Sequence, residues 1–201
     1  MKHLRGKRSY AKILKVTTKL FVRKGYHGTS MSDISKATKL TKGAIYCHFE
    51  SKEALLKKIF EEYERIYLDK MIEEVESVKG KAIDKMKHML RFSTNFAAQN
   101  IDLCLCLATL SAELYSSSKK YERYIKRVYM KHHKFLSNLL EKGVKDGSFR
   151  KDINSNFLSL NLIGANEGNL LQWNLNRPEY NGRVFSRSYI KFFLSGICRP
   201  R

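Results

Sequence analysis

TKGAIYCHFESK, residues 41–52, reads as a short surface helix followed at once by the start of a second one. Thr41 is an N-cap residue type, because its hydroxyl can accept an orphan backbone N–H at a helix start. Lys42 brings a positive charge to that end, and Gly43 lets a large partner approach the backbone. Ile45 and Phe49 stand four apart and anchor one face inward, leaving Ala44, Cys47 and His48 to point elsewhere. Ser51 caps the next helix, and Lys52 lies in its first turn, where a cation opposes the helix dipole. An anion such as a DNA phosphate would balance it.

The preceding residues complete a helix-turn-helix pattern. Ile13, Thr17, Leu20 and Phe21 form an apolar stripe at helical spacing. Lys24-Gly25 has the form of a last-turn cation followed by a left-handed C′ glycine. Ser30-Met31-Ser32-Asp33 has the form of a capping box with Asp in place of Glu, opening a short helix with Ile34, Ala37 and Met31 on its buried face. Thr38–Thr41 then forms the turn. Two short helices so joined, the second carrying Lys, Tyr and His, suit a recognition helix in the major groove. Thr41, Lys42, Gly43 and Ala44 occupy its base-reading turn, with Lys42 placed to donate to a guanine and Ala44 to touch a thymine methyl. Ser30 and Met31 are placed to meet backbone phosphates.

Residues 13–56 resemble the DNA-binding domain of TetR-family one-component regulators. The resemblance rests on LF-x3-GY-x2-TS, the D-I-x-K-A core of the second helix and K-G-x-x-Y-x-H-F-x-S-K. It implies that Tyr46 and His48 contact the sugar–phosphate backbone and that Lys52 holds a phosphate. It also implies a homodimer on a palindromic operator in double-stranded DNA, and a helical sensor domain for a small-molecule effector. The sequence departs from the family pattern at Lys39, where the turn usually carries Gly, and at Thr17, where the first helix carries a small residue. A threonine there can bond back to its own helix.

Charge agrees with that expectation. The net charge is +20, and residues 1–52 hold thirteen Lys and Arg against Asp33 and Glu50, a local balance of +11. Such density neutralises phosphates and releases counterions; by itself it would fit a protein that coats DNA without sequence preference. MKHLRGKRSYAK reads as a basic arm before the first helix, with no following apolar run of a secretory signal. The longest apolar run, Leu103–Leu110, falls short of a membrane span. A cytoplasmic protein is expected, its four cysteines reduced. No cofactor, metal or catalytic role is expected. Cys104-x-Cys106 on a helix diverges by two residues, His132-His133 are adjacent rather than one turn apart, and Gly-rich phosphate loops and nucleophile elbows are absent. A thiol-based redox response through Cys104 and Cys106 stands as an alternative.

The rest of the chain reads as helix, giving an all-α protein of about nine helices. Residues 1–52 form the DNA-binding domain (motif about 30–49), and 53–201 a larger effector-binding and dimerisation domain. Helices are expected over about 52–78, 82–99, 102–115, 119–145, 156–175 and 184–197, with a loop at Pro178. Effector-lining candidates from the middle helices are Phe92, Phe96, Cys104, Leu107, Ser111, Tyr115, Tyr129, Phe135, Asn169 and Trp173, with Glu113 and Glu167 set among apolar neighbours. The last two helices read as a dimer surface. Gly164 and Gly168 lie four apart, although glycine costs about 1 kcal/mol against alanine within a helix. Leu160, Ile163, Leu171 and Leu175 border them, with Phe185, Tyr189, Phe193 and Ile197 opposite.

Overall fold

The computed structural model describes residues 2–177 and 179–198, with side chains from residue 6 onward; Pro178 and Pro200 lie outside the described residues. In chain order the helices are α1 (Lys2–Lys24), α2 (Met31–Thr38), α3 (Lys42–Tyr46), α4 (Lys52–Tyr63), α5 (Lys70–Ser77), α6 (Ala82–Gln99), α7 (Ile101–Leu114), α8 (Lys119–Lys145), α9 (Ser155–Asn176) and α10 (Gly182–Ile197). A π-helical stretch, Glu64–Asp69, runs directly from α4 to α5, so the helical assignment is continuous over residues 52–77 and, with that stretch counted once, the described residues hold nine helices. The expected uniform helix over 52–78 is corrected at that stretch.

The N-terminal segment is a second correction. Residues 2–12 are not an arm but the opening turns of α1. Tyr10 anchors the later part of this segment: its ring stacks on Phe49 with centroids 4.9 Å apart and stands edge-on to His48 at 6.1 Å.

The chain forms two compact units, Met1–Glu64 with Asp102–Lys126, and Arg65–Ile101 with Arg127–Arg201. A split after residue 52 is therefore not the one the contacts make. In the first unit the helix-turn-helix core is Ile13, Ile34, Ile45, Phe49 and Leu55, with Tyr10, Leu14, Leu20, Met31 and Leu40 packed around it. Gly25 adopts φ 72°, and its N–H reaches the Phe21 carbonyl at 2.9 Å, ending α1 as expected. Ala37, expected inside, is exposed. Thr38 takes the buried place, its hydroxyl donating to the Ile34 carbonyl at 2.7 Å. Lys39 sits at φ 54°, the one left-handed non-glycine residue among those described, so the turn keeps its geometry without the glycine.

Thr17 does not back-bond. Thr18 does, donating to the Leu14 carbonyl at 2.9 Å, whereas the Thr17 hydroxyl is buried without a hydrogen-bond partner. A buried unsatisfied hydroxyl costs about 1–3 kcal/mol, and an apolar group of the same shape removes the penalty. Thr17→Val is therefore expected to stabilise the protein by about 1 kcal/mol, read as a higher urea midpoint at unchanged slope; a lower midpoint would show that the hydroxyl has a partner.

In the second unit α6 packs against α5 and α10. Its buried side chains include Leu68, Met71, Met86, Met89, Leu136, Leu140 and Phe149. Asp146, just past α8, accepts the Ala82 N–H at 2.8 Å and so caps α6 from sixty-four residues away. Arg150 N–H donates to the Ile197 carbonyl at 3.0 Å beside an antiparallel bridge between Phe149 and Cys198. None of the helices is long and apolar enough to cross a membrane, among the described residues.

Candidate nucleic-acid interface

Thr41 caps α3 by accepting the Ala44 N–H at 3.2 Å, and Ile45 and Phe49 are buried, so the face carrying Thr41, Lys42, Gly43 and Tyr46 is held outward. Tyr46 is 49% exposed, although large aromatics favour burial. His48 is half-buried against Tyr10, Ala44 is half-buried and Cys47 is exposed. Ser51 caps α4 through the Ala54 N–H at 3.1 Å.

Ser30 and Met31 are used locally. The Ser30 hydroxyl accepts the Asp33 N–H at 3.1 Å while Asp33 accepts the Ser30 N–H at 2.9 Å, a complete capping box. Ser30 and Lys24 hold the Asp33 carboxyl well below the usual carboxylate range. Met31 packs, part-buried, on the helix-turn-helix core.

Lys52 is placed differently from the expectation. Its ammonium donates to the Tyr26 carbonyl at 2.6 Å and the Thr29 carbonyl at 2.8 Å, and lies 4.2 Å from the centre of the Tyr26 ring. Desolvation lowers its pKa, opposed by the charge of Glu113. The cation that opposes the α4 dipole thus finds backbone carbonyls and an aromatic face within the chain, and it fixes the loop between α1 and α2.

That loop is also gripped from the far side in sequence. Glu113 of α7 accepts the Tyr26 N–H at 2.9 Å and the His27 N–H at 3.0 Å, so it serves backbone amides rather than a cationic ligand. The Tyr26 hydroxyl pairs with that of Tyr121 at 2.9 Å, and Lys120 pairs with Glu53. Burial and the Tyr121 bond push the Tyr26 phenol above its ordinary value. Sequence reasoning missed this clamp; the sole signal was an acid, Glu113, among apolar neighbours.

The effector candidates divide between the units. Cys104, Leu107, Ser111 and Tyr115 lie in the first, the other six in the second. Leu107 is buried, Tyr115 is exposed, and the buried Ser111 hydroxyl has no hydrogen-bond partner. In the second unit Phe92 and Phe96 flank Tyr67, Tyr129 donates to Glu167, and Trp173 packs on Phe185 at 5.9 Å; Phe135 and Asn169 are half-buried. Desolvation raises the Glu167 pKa. Burial pushes the Cys104 thiol up to about 12 and the Cys106 thiol higher still. A thiol so protonated is a poor nucleophile, which weighs against the redox alternative.

On α9, Leu160, Gly164, Gly168 and Leu171 are all exposed, together with Phe157 and Leu175. The α10 stripe is turned the other way. Ile197 is 3% exposed and belongs to the interior, as does Ile163 of α9. Phe185, Tyr189 and Phe193 are half-buried, the Tyr189 hydroxyl fully so, and the exposed large apolar residues of α10 are Val184 and Phe192. Phe192, 79% exposed, was not singled out in the sequence because the stripe one residue on is more continuous.

Capped α3, anchored from beneath and exposed at its first turn beside α2, defines a helix-turn-helix DNA-binding protein. Residues 13–59 match the family of bacterial regulatory proteins, tetR family. Over 197 residues the chain is 26% identical to the fatty acid metabolism regulator protein of Bacillus subtilis (strain 168), covering 98% of both. Among solved structures, the MbdR regulator from Azoarcus sp. CIB superposes with a TM-score of 0.85 at 25% identity, over 95% of this chain and all of that one. The regulator FadR from Bacillus subtilis in complex with stearoyl-CoA gives a TM-score of 0.75 at 22% identity, over 94% of this chain and 99% of that one. Together these likenesses support a TetR-family transcriptional regulator.

Proposed function

We propose that two copies of this chain bind a palindromic operator as a repressor and release it on binding a long-chain acyl-CoA. The observation that carries the DNA reading is the α3 first turn, where Thr41 caps the helix and Lys42 and Gly43 are exposed. Lys42 and Ala44 address base edges; Tyr46 and His48 address the backbone. Lys52 acts through the loop it fixes, with its third N–H left to reach a phosphate. A single α3 reads few base pairs, whereas two related by a two-fold axis read an inverted repeat.

The α9 face supports the dimer. A Cβ placed at Gly164 or Gly168 would meet nothing within 4 Å, so packing within the chain gives no reason for glycine there. Close approach of a second helix does. Gly164→Leu is expected to shift the protein toward monomer in sedimentation and weaken operator binding in parallel; an intact dimer would move the interface elsewhere.

The effector class is supported by the full-length similarity to a fatty acid metabolism regulator and to a structure holding stearoyl-CoA. Release is a population shift: the ligand must bind the non-operator state more tightly. The test is selection of duplexes from a random pool at about 150 mM salt, where phosphate attraction alone is screened. One enriched inverted repeat, released by stearoyl-CoA, is the expected result. Strong, steeply salt-dependent binding with no enriched sequence would favour charge-driven coating and remove the base-reading roles.

A further inference from the structure

The turn between α2 and α3 closes on a residue poorly suited to it. The Lys39 N–H donates to the Lys36 carbonyl at 3.3 Å and the Leu40 N–H to the Ser35 carbonyl at 3.3 Å, with Lys39 at φ 54°. This is the Schellman arrangement, whose left-handed position usually carries glycine, because a Cβ crowds the backbone there. Asparagine and aspartate also visit that region, with a short polar side chain that bonds locally. Lysine has neither advantage. Nor does its side chain support the fold: it is exposed, and its ammonium makes no hydrogen bond or ion pair among the described residues. Backbone strain that serves no packing is a mark of functional sites.

The charges around Lys39 point the same way. Lys36 and Lys42, three residues to either side, are exposed and equally without an acidic partner among the described residues. Acids of the same unit are engaged elsewhere: Asp33 with Lys24, Glu53 with Lys120, Glu61 with Lys57 and Lys58, and Glu113 with backbone amides. Three like charges within seven residues repel one another, and a polyanion laid along them relieves that repulsion. Lys52, the cation expected on a phosphate, gives two of its three donors to the Tyr26 and Thr29 carbonyls. Lys39 keeps its own, and it stands two residues before Thr41, the cap of the exposed α3 turn.

We propose that Lys39 holds a phosphate of the DNA backbone beside the bases that α3 reads, and that the turn carries lysine rather than glycine for this contact. An ammonium meets a phosphate as a point charge, so the contact supplies attraction and register but no sequence information of its own. It adds to Lys42, whose role lies at base edges, and it needs no movement of the fold. The inference rests on the DNA-binding reading of α3; it depends on neither the dimer nor the acyl-CoA.

The test compares the parent chain with Lys39→Gly, Lys39→Asn and Lys39→Arg. Each is titrated with the selected duplex and with one of unrelated sequence, between about 50 and about 200 mM salt. Glycine and asparagine both accept the turn and remove the charge, whereas arginine keeps it. One lost phosphate contact lowers the slope of log K against log salt by about 0.9. Referred to about 1 M salt, that slope weakens binding about fivefold at about 150 mM and about fifteenfold at about 50 mM. Those losses are expected in Lys39→Gly and Lys39→Asn on both duplexes alike, with parental values in Lys39→Arg. Lys39→Gly should also melt no lower than the parent, so that binding falls while stability does not. An unchanged slope in the two neutral variants, a loss confined to the selected duplex, or an equal loss in Lys39→Arg would each overturn the proposal. So would a fall of several degrees in the melting temperature of Lys39→Gly, which would give the side chain a structural role. If the parent selects no sequence from the pool, the operator reading falls, and the slope comparison on a single random duplex still decides Lys39.

Discussion

Gly143→Ala is expected to destabilise the second unit by about 3 kcal/mol, at the upper end of what overpacking a core does. A Cβ at Gly143 would lie 2.0 Å from Phe149 Cδ2 and 2.1 Å from Cε2. Phe149 is fully buried, its N–H donates to the Gly143 carbonyl at 2.9 Å, and the Cys198 bridge holds its strand-like segment. With the backbone held there and the ring buried, the ring yields only by displacing its core neighbours. At this chain length the penalty lowers the melting temperature by roughly 6–12 °C. Phe149→Leu in the Gly143→Ala background should recover part of the loss, a coupling that a double-mutant cycle reads directly. A melt within two degrees or so of the parent would mean that α8 and the Phe149 segment do not meet as described.

The second large effect is an acid sensitivity set by His132. This ring is 8% exposed, and burial lowers its pKa from 6.5 to about 4. Between those values the unfolded chain binds a proton that the folded chain refuses, so stability rises with pH there. The contribution is whole above about pH 6.5 and is lost as pH falls toward about 4. At pH 4.5 the loss amounts to roughly 2.5 kcal/mol, from 1.36 kcal/mol per pKa unit. Comparing urea midpoints at pH 7 and 4.5, His132→Leu should lose about that much less than the parent; equal losses would place a charged or solvated histidine at this position. The neighbouring His133 pairs through its Nδ1 with Ser159 at 2.6 Å in a half-buried site.

The DNA-binding helices were legible because their signals are local. Caps at Ser30, Thr41 and Ser51, the Gly25 stop and the Ile45/Phe49 anchors each depend on residues within one or two turns, and each is present in the structure. What was illegible depends on distance in the chain. Glu113 reaches back eighty-seven residues to Tyr26, and no pattern near either residue announces the bond. The same is true of Lys52, whose charge suggested an external anion because the two carbonyls it binds lie on another loop. The α10 stripe is a different case. Periodicity identifies an apolar face but not what covers it, and Phe185, Tyr189, Phe193 and Ile197 turn at least partly toward their own unit. Thr17 and Thr18 are both buried, and sequence cannot tell which of two adjacent hydroxyls finds a carbonyl.

Because the first unit takes residues from two separate stretches, Met1–Glu64 and Asp102–Lys126, this reading head is not a cassette that can be cut out at a single joint. A chimera that grafts only the N-terminal segment onto another regulator would leave the Tyr26 and His27 amides without the Glu113 carboxylate, and Glu53 without Lys120. A faithful transplant carries the C-terminal turn of α7 and the opening of α8 with it, and the same holds for nascent chains: the head is complete only after residue 126 has left the ribosome.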